Sequence, residues 1–327
     1  MKQFLERYLK IYIHESAPFL WMASMFFVIF LVTAVFRNYV DAAFLKRYGP
    51  QYIPYMLVIN ALLTFVIFAV AERLGRRFLD HFILTGFLFF YAGSVTVAYL
   101  LVRAGMSIAY PILYQLLYLL DSILLVYLWN IAGDLFDARQ GKRIFPLITS
   151  SQVLGTTIGS FATKGITSIL GDDPTLLLFA GVCLATAVFL AKTGPQFVKR
   201  DLPKAGSSKA ASKKLTEVPG LMAKYPIIRY LIVTGIAPNF LLPIFFYQFS
   251  IIANNTFTSE QSLISFLSIF RGATTLTTFL LLFFVGRLYQ NLGLTNSSLV
   301  TLSIFRSSLR HCRHSLTFTW PVTVSSR

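Results

Sequence analysis

Hydrophobic residues run through this chain in long blocks rather than at the spacing of an amphipathic helix or strand. Apolar stretches near 17–36, 52–70, 82–102, 108–129, 147–170, 175–191, 230–252 and 263–285 each approach the roughly 20 residues an α-helix needs to cross a hydrocarbon layer about 30 Å thick. They are apolar along their whole length, whereas the strands of a membrane barrel alternate over about ten residues. The pattern predicts an all-α polytopic membrane protein, a helical bundle with about eight transmembrane helices. Ahead of the first block, Phe4, Leu5, Tyr8, Leu9 and Tyr12 fall at helical spacing among Lys2, Arg7 and Lys10. This predicts an interfacial helix over 1–16 and no cleavable signal.

The polar stretches set the organisation. Six blocks precede "KTGPQFVKRDLPKAGSSKAASKKLTEVPG" (192–220), whose Lys, Ser, Gly and Pro content cannot build a core and suits a solvated connection. The expected order is a first six-helix half over 17–191, a basic cytoplasmic linker over 192–229, and the first two helices of a second half over 230–295. An aberrant tail follows over 296–327. There Arg306, Arg310, His311, Arg313 and His314 crowd into 306–314, interrupting what would be a ninth span. The tail has neither helical periodicity nor span composition and reads as a shifted frame, so the chain is expected to be C-terminally truncated.

Composition agrees: 56% of residues are hydrophobic and 13% charged, with a formal net charge of +16. Basic residues are retained on the cytoplasmic side of short loops. With the N-terminus cytoplasmic, the inside segments hold Lys2, Arg7 and Lys10, then Arg73, Arg76 and Arg77, then Arg139, Lys142 and Arg143, then the basic stretch 192–229. The outside loops hold Arg37, Lys46, Arg47 and Arg103. Insertion in a membrane thus explains most of the charge, and no nucleic-acid partner is expected. Cys183 and Cys312 imply no disulfide framework, and "RHCRH" (310–314) falls short of the four ligands a closed metal site needs. No phosphate-cradling glycine loop and no nucleophile beside a base are evident. No enzyme activity, cofactor or metal is expected.

Charges inside apolar blocks are costly and usually face a cavity or a partner. Asp121 shares a face of the fourth block with Tyr110, Tyr114 and Tyr118, the four falling within an arc of roughly 80° at 100° per residue. Lys164 lies in the fifth block, and Arg271 in the eighth, followed by Thr274, Thr275, Thr277 and Thr278. Lys164 and Arg271 are the candidate anion-binding cations, Tyr114 and Tyr118 the candidate stacking rings, and Asp121 a counter-charge or proton carrier. The same charges could equally be helix-to-helix pairs that fix packing.

Two stretches carry a family resemblance. "AERLGRR" (71–77), with Glu72, Arg73, Gly75, Arg76 and Arg77, resembles the cytoplasmic loop between the second and third spans of the major facilitator superfamily, with Glu in place of Asp and Phe68 where a Gly is expected. Residues 128–155, through Trp129, Asp134, Lys142, Arg143, Phe145, Pro146, Leu147 and Gly155, together with Gly159, resemble the TLC-type ATP/ADP translocases. That resemblance implies a major-facilitator-like fold of twelve spans and exchange of ATP for ADP or related nucleotides. The implied partner is a small-molecule anion such as ATP or ADP, and the implied location a bacterial inner membrane. Glu72, Arg73, Arg76, Arg77, Asp134, Lys142 and Arg143 would form a cytoplasmic gate and anion-attracting rim, or else a solvated turn held inside by its basic residues. Pro146 would begin the fifth helix, and "GTTIG" (155–159) offers a small surface for close helix approach. A carrier of another organic solute and a non-transporting remnant are the alternatives.

Overall fold

A computed structural model describes residues 13–75, 77–197 and 242–282. All regular structure among them is helical: α1 (Ile13–Arg47), a 3-10 turn (Pro50–Tyr52), α2 (Ile53–Gly75), α3 (Asp80–Arg103), α4 (Ala109–Leu135), α5 (Ala138–Leu170) and α6 (Thr175–Phe197). Then come α7 (242–256) and α8 (Glu260–Leu282). The chain divides into two units, Met1–Leu276 and Thr277–Arg327, and the site below lies within the first. The expected interfacial helix up to residue 12, most of the linker, the end of the eighth apolar block and the tail lie outside the described residues.

Among the described residues, six helices (α1, α2, α3, α4, α6 and α8) are long and apolar enough to cross a membrane. α5 spans a comparable length, but Gln152, Thr156, Thr157, Ser160, Thr163 and Thr167 run down it at helical spacing. It is a polar-faced helix sheltered by neighbours, which block-wise hydropathy underrates.

α1 is the hub. It packs on α4, α5 and α6, its contact with α5 being the most extensive between the described helices, and it buries Phe26, Phe36, Tyr39 and Phe44 completely. The α5 contact is set by glycine: a Cβ on Gly155 would collide with the Phe27 carbonyl oxygen, and one on Gly159 with that of Leu31. Two backbones that close leave room for no side chain, the usual reason for small residues four apart in membrane helices. α3 packs on α4 and α6, while α2 is peripheral, burying only Ile53 and Ala71.

Two expected boundaries move. Residues 37–47, read as an outside loop holding Arg37, Lys46 and Arg47, are the last three turns of α1. Their charges are paired sideways with other helices, so the helix continues through them. α5 begins at Ala138 rather than at Pro146, started by a capping box between Asp137 and Gln140 in which the Asp137 N–H donates to Gln140 Oε1 at 3.0 Å. Such a box satisfies orphan donors of the first turn, and Pro146 is carried inside the helix.

Candidate solute-binding cavity

Four helices surround a cavity of about 390 Å³ lined by Phe30, Thr33, Ala34 and Arg37 of α1, Asp121 and Leu125 of α4, Gln152, Thr156 and Ser160 of α5, and Arg271, Thr274 and Thr275 of α8. The size falls in the range of small-molecule pockets. On every wall the residues beyond the charged ones lead toward the same end of the bundle, the one carrying the 77–79 and 136–137 turns. Arg37, Asp121 and Arg271 each stand roughly 15–18 Å along their helices from the opposite end, at 1.5 Å per residue. That is about the middle of a 30 Å hydrocarbon layer.

Two ion pairs form the floor. Arg37 pairs with Asp121 across α1 and α4, and its guanidinium lies 5.9 Å from the Tyr118 ring centre. Arg271 reaches from α8 to α1, where Nη2 donates to Asp41 Oδ2 at 2.6 Å and Nη1 to Asn38 Oδ1 at 3.0 Å. Asn38 is fixed in turn. Thr163 donates its hydroxyl proton to the Gly159 carbonyl at 2.8 Å, so its oxygen can only accept from Asn38 Nδ2, at 3.0 Å. That leaves the Asn38 carbonyl facing Arg271. Asn38 and Asp41 are buried, and Asp41 Oδ1 and the cavity-lining Thr33 hydroxyl have no hydrogen-bond partner among the described residues. Thr156, Thr274 and Thr275 donate to carbonyls of their own helices, and the Thr275 hydroxyl lies 3.0 Å from that of Thr157.

Beyond the floor the far end of the bundle is tied shut. Lys46 donates to the carbonyls of Asn254, at 2.8 Å, and Phe257, a cation on the C-terminal carbonyls of α7 where the helix dipole favours it. Arg47 pairs with Glu260 at 3.2 Å and lies 4.3 Å from the Tyr110 ring centre. Tyr39 donates to Asp173 at 2.9 Å. In the α5–α6 turn, burial holds the Asp172 carboxyl above its usual range, against the opposing hydrogen bond from Gln261.

The structure distributes the expected residues unevenly. Asp121 and Arg271 line the cavity. Tyr114 is buried against Phe44, with its hydroxyl 3.3 Å from that of Tyr118; both rings back the Arg37 pair and do not line the cavity. Lys164 is exposed and outside the cavity: its neighbour Thr163 faces α1, and a residue one step on points about 100° away. Within the expected gate, Arg143 donates to both carboxylate oxygens of buried Glu15, at 3.0 and 3.3 Å, and Gln140 joins them at 2.9 Å. Arg143 thus ties α5 to α1 and is not a bare anion-attracting rim. Glu72, Arg73, Arg77 and Asp134 are exposed; Arg73 and Arg77 have no ion-pair partner among the described residues. Arg76 and the Lys142 side chain lie outside the described residues. Sequence reasoning missed Arg37, Asn38 and Asp41, although Arg37 and Asp41 stand four apart, one helical turn, just past an apolar block. It also missed Glu15, the acid just ahead of the first span.

Compared with family models, residues 18–207 match the sugar (and other) transporter model, which covers more than half of the chain. The chain belongs to the sugar (and other) transporter family. It is therefore a multi-pass membrane transporter of the major facilitator superfamily, and the match takes in α1 to α6, three of the four cavity walls. No curated protein and no solved structure matches. The family assignment agrees with the resemblance at 71–77, and gives no support to the ATP/ADP translocase resemblance at 128–155 or to nucleotide exchange.

Proposed function

We propose that this sugar-family transporter carries a small, polar, net-uncharged organic solute by alternating access, taking it into the cavity among α1, α4, α5 and α8. The observation that carries the reading is the state of the cavity's charges: both arginines are already matched by aspartates, and what remains is hydroxyl and amide. A solute rich in hydroxyls can donate to Asp121 and to the Thr156 oxygen, and can exchange hydrogen bonds with the Gln152 amide. A nucleotide would bring several negative charges into a site with no unpaired cation among its lining residues, and leaving charges unmatched at mid-membrane is costly. With the N-terminus cytoplasmic, as the distribution of basic residues favours, the cavity opens inward and the Lys46, Arg47 and Tyr39 contacts close the outer side.

The test is uptake by the full chain in proteoliposomes. Saturable entry of a labelled hexose or polyol, inhibited by unlabelled polyhydroxylated solutes and unaffected by ATP or ADP, is the expected result. Uptake competed by nucleotides and indifferent to sugars and polyols would overturn the reading.

A further inference from the structure

A larger hollow lies elsewhere in the protein and has a different character. Between α2 and α3 runs a groove of about 750 Å³ walled by Ile67, Leu74, Phe78, Phe82, Phe87 and Phe90, with Gly86 on its floor. A Cβ on Gly86 would meet nothing within 4 Å, so glycine leaves this stretch of the groove open. From Phe82 to Phe90 the groove follows α3 for about 12 Å at 1.5 Å per residue. One leaflet's share of a 30 Å hydrocarbon layer is about 15 Å. The groove therefore begins at the 77–79 turn, at the membrane surface, and ends short of the bilayer centre, the span and direction of a single acyl chain.

Its surface end is basic. Arg73, next to the lining Leu74, and Arg77, next to the lining Phe78, are both exposed, and neither has an ion-pair partner among the described residues. Two such arginines at the surface end of an apolar slot of one leaflet's depth, free to turn toward it, match a molecule with a negative head and a hydrocarbon tail. A soluble anion would have no use for the slot, and an uncharged hydrocarbon none for the arginines.

We infer that this groove binds an anionic phospholipid, one acyl chain lying between α2 and α3 and the phosphate held by Arg73 and Arg77. The site is separate from the solute cavity, shares no residue with it, and stands or falls independently of what the protein carries. It gives α2, which buries so little against its own bundle, a defined neighbour in the membrane.

The experiment uses the purified full chain and native mass spectrometry to count retained lipids, with phosphatidylglycerol and phosphatidylcholine of identical acyl chains as the two probes. Phosphatidylglycerol is expected to outlast phosphatidylcholine. Arg73→Gln and Arg77→Gln should each weaken retention of the anionic lipid about fivefold, the contribution of one basic residue near an anionic headgroup, and leave phosphatidylcholine unchanged. Gly86→Leu, which enters open space and so spares the helix packing, should reduce retention of both lipids by filling the slot. Equal retention of the two lipids would overturn the inference, as would insensitivity to either kind of substitution. So would a dimer, seen by light scattering, that Gly86→Leu dissolves, since the groove would then hold a second copy of the chain.

Discussion

Arg271 receives two different things from α1: Asp41 neutralises it and Asn38 orients it. Removing one member of a buried ion pair strands the other, at about 3–5 kcal/mol, whereas replacing both by apolar groups of similar size is close to neutral. Asp41→Ala should accordingly lower the thermal midpoint of the solubilised protein sharply, and Asp41→Leu with Arg271→Met should recover most of that loss. If the pair also serves transport, both variants stop uptake, so that stability and activity separate in the double variant. Recovery of uptake along with stability would reduce the pair to a packing device. The charges legible in the sequence, Asp121 and Arg271, sit deep inside apolar blocks, where a lone ionisable group is too costly to stand without a partner or a cavity. Arg37 and Asp41 sit where an apolar block ends, and there a charge reads as the start of a loop. Their placement depends on partners far away in the chain, Asp121 and Arg271, which no local pattern reveals. Lys164 fails for the reverse reason: its position along the helix suggests the cavity, while its direction around the helix is decided by Thr163, Gly159 and Gly155 claiming the inner face.

At the scale of helices, α1 and α5 are joined by the Glu15–Arg143 pair near one end, the glycine contact in the middle and the Asn38–Thr163 hydrogen bond beyond it. Gly159→Ala puts a methyl into the Leu31 carbonyl oxygen, and neither backbone can yield without loosening the contacts on either side; overpacking of this kind typically costs about 1–3 kcal/mol. Gly181→Ala in α6, whose Cβ meets nothing within 4 Å, is the matched control and should be neutral or slightly stabilising, by up to about 1 kcal/mol. Equal midpoints for the two variants would mean that α1 and α5 are not in backbone contact. The α5–α6 turn gives a pH prediction. Asp172 has its carboxyl pKa raised from 3.8 by burial, so the folded turn holds a proton that the unfolded chain has released. Stability therefore falls as pH rises from about 3.8 through the raised value. Asp172→Asn, which keeps an acceptor for Gln261, should flatten that decline and raise the melting temperature at neutral pH. A variant with an unchanged pH profile would show that the turn is not buried as described. The positions of the helices are legible because an unbroken block of about 20 apolar residues has the length of a helix that crosses a hydrocarbon layer and far exceeds that of a buried strand. Their ends are not, because α1 and α5 continue through charged turns that side-chain pairing and capping, not hydropathy, stabilise.

For the molecule as a whole, the contacts fall into two sets that transport must treat differently. α7 and the first turns of α8 are held to α1 at one end by Lys46 on the α7 carbonyls and Arg47 on Glu260, and near mid-span by Arg271 on Asp41 and Asn38. The cavity lies to the other side of these ties. A carrier that alternates must break the end contacts while keeping the helices folded, and these are suited to it: Arg47 is partly exposed, and the Lys46 bonds are made to carbonyls that water can satisfy when the lysine leaves. Opposed to them, the α1–α5 glycine contact has no second arrangement short of separation, so α1 and α5 should move as one body. A cysteine at Ala34, which lines the cavity, distinguishes the two faces once Cys183 and Cys312 are replaced by Ala. In sealed vesicles Ala34→Cys should react with a membrane-impermeant thiol reagent from the side bearing the 77–79 turn and be protected from the other. Adding Lys46→Ala, Glu260→Ala and Tyr39→Phe removes all three end contacts and should make the same cysteine reactive from the opposite side, with lower reactivity from the first. Unchanged sidedness in that variant would mean that the ties near Arg271 hold the structure closed by themselves, and that Lys46 and Arg47 are not the outer gate.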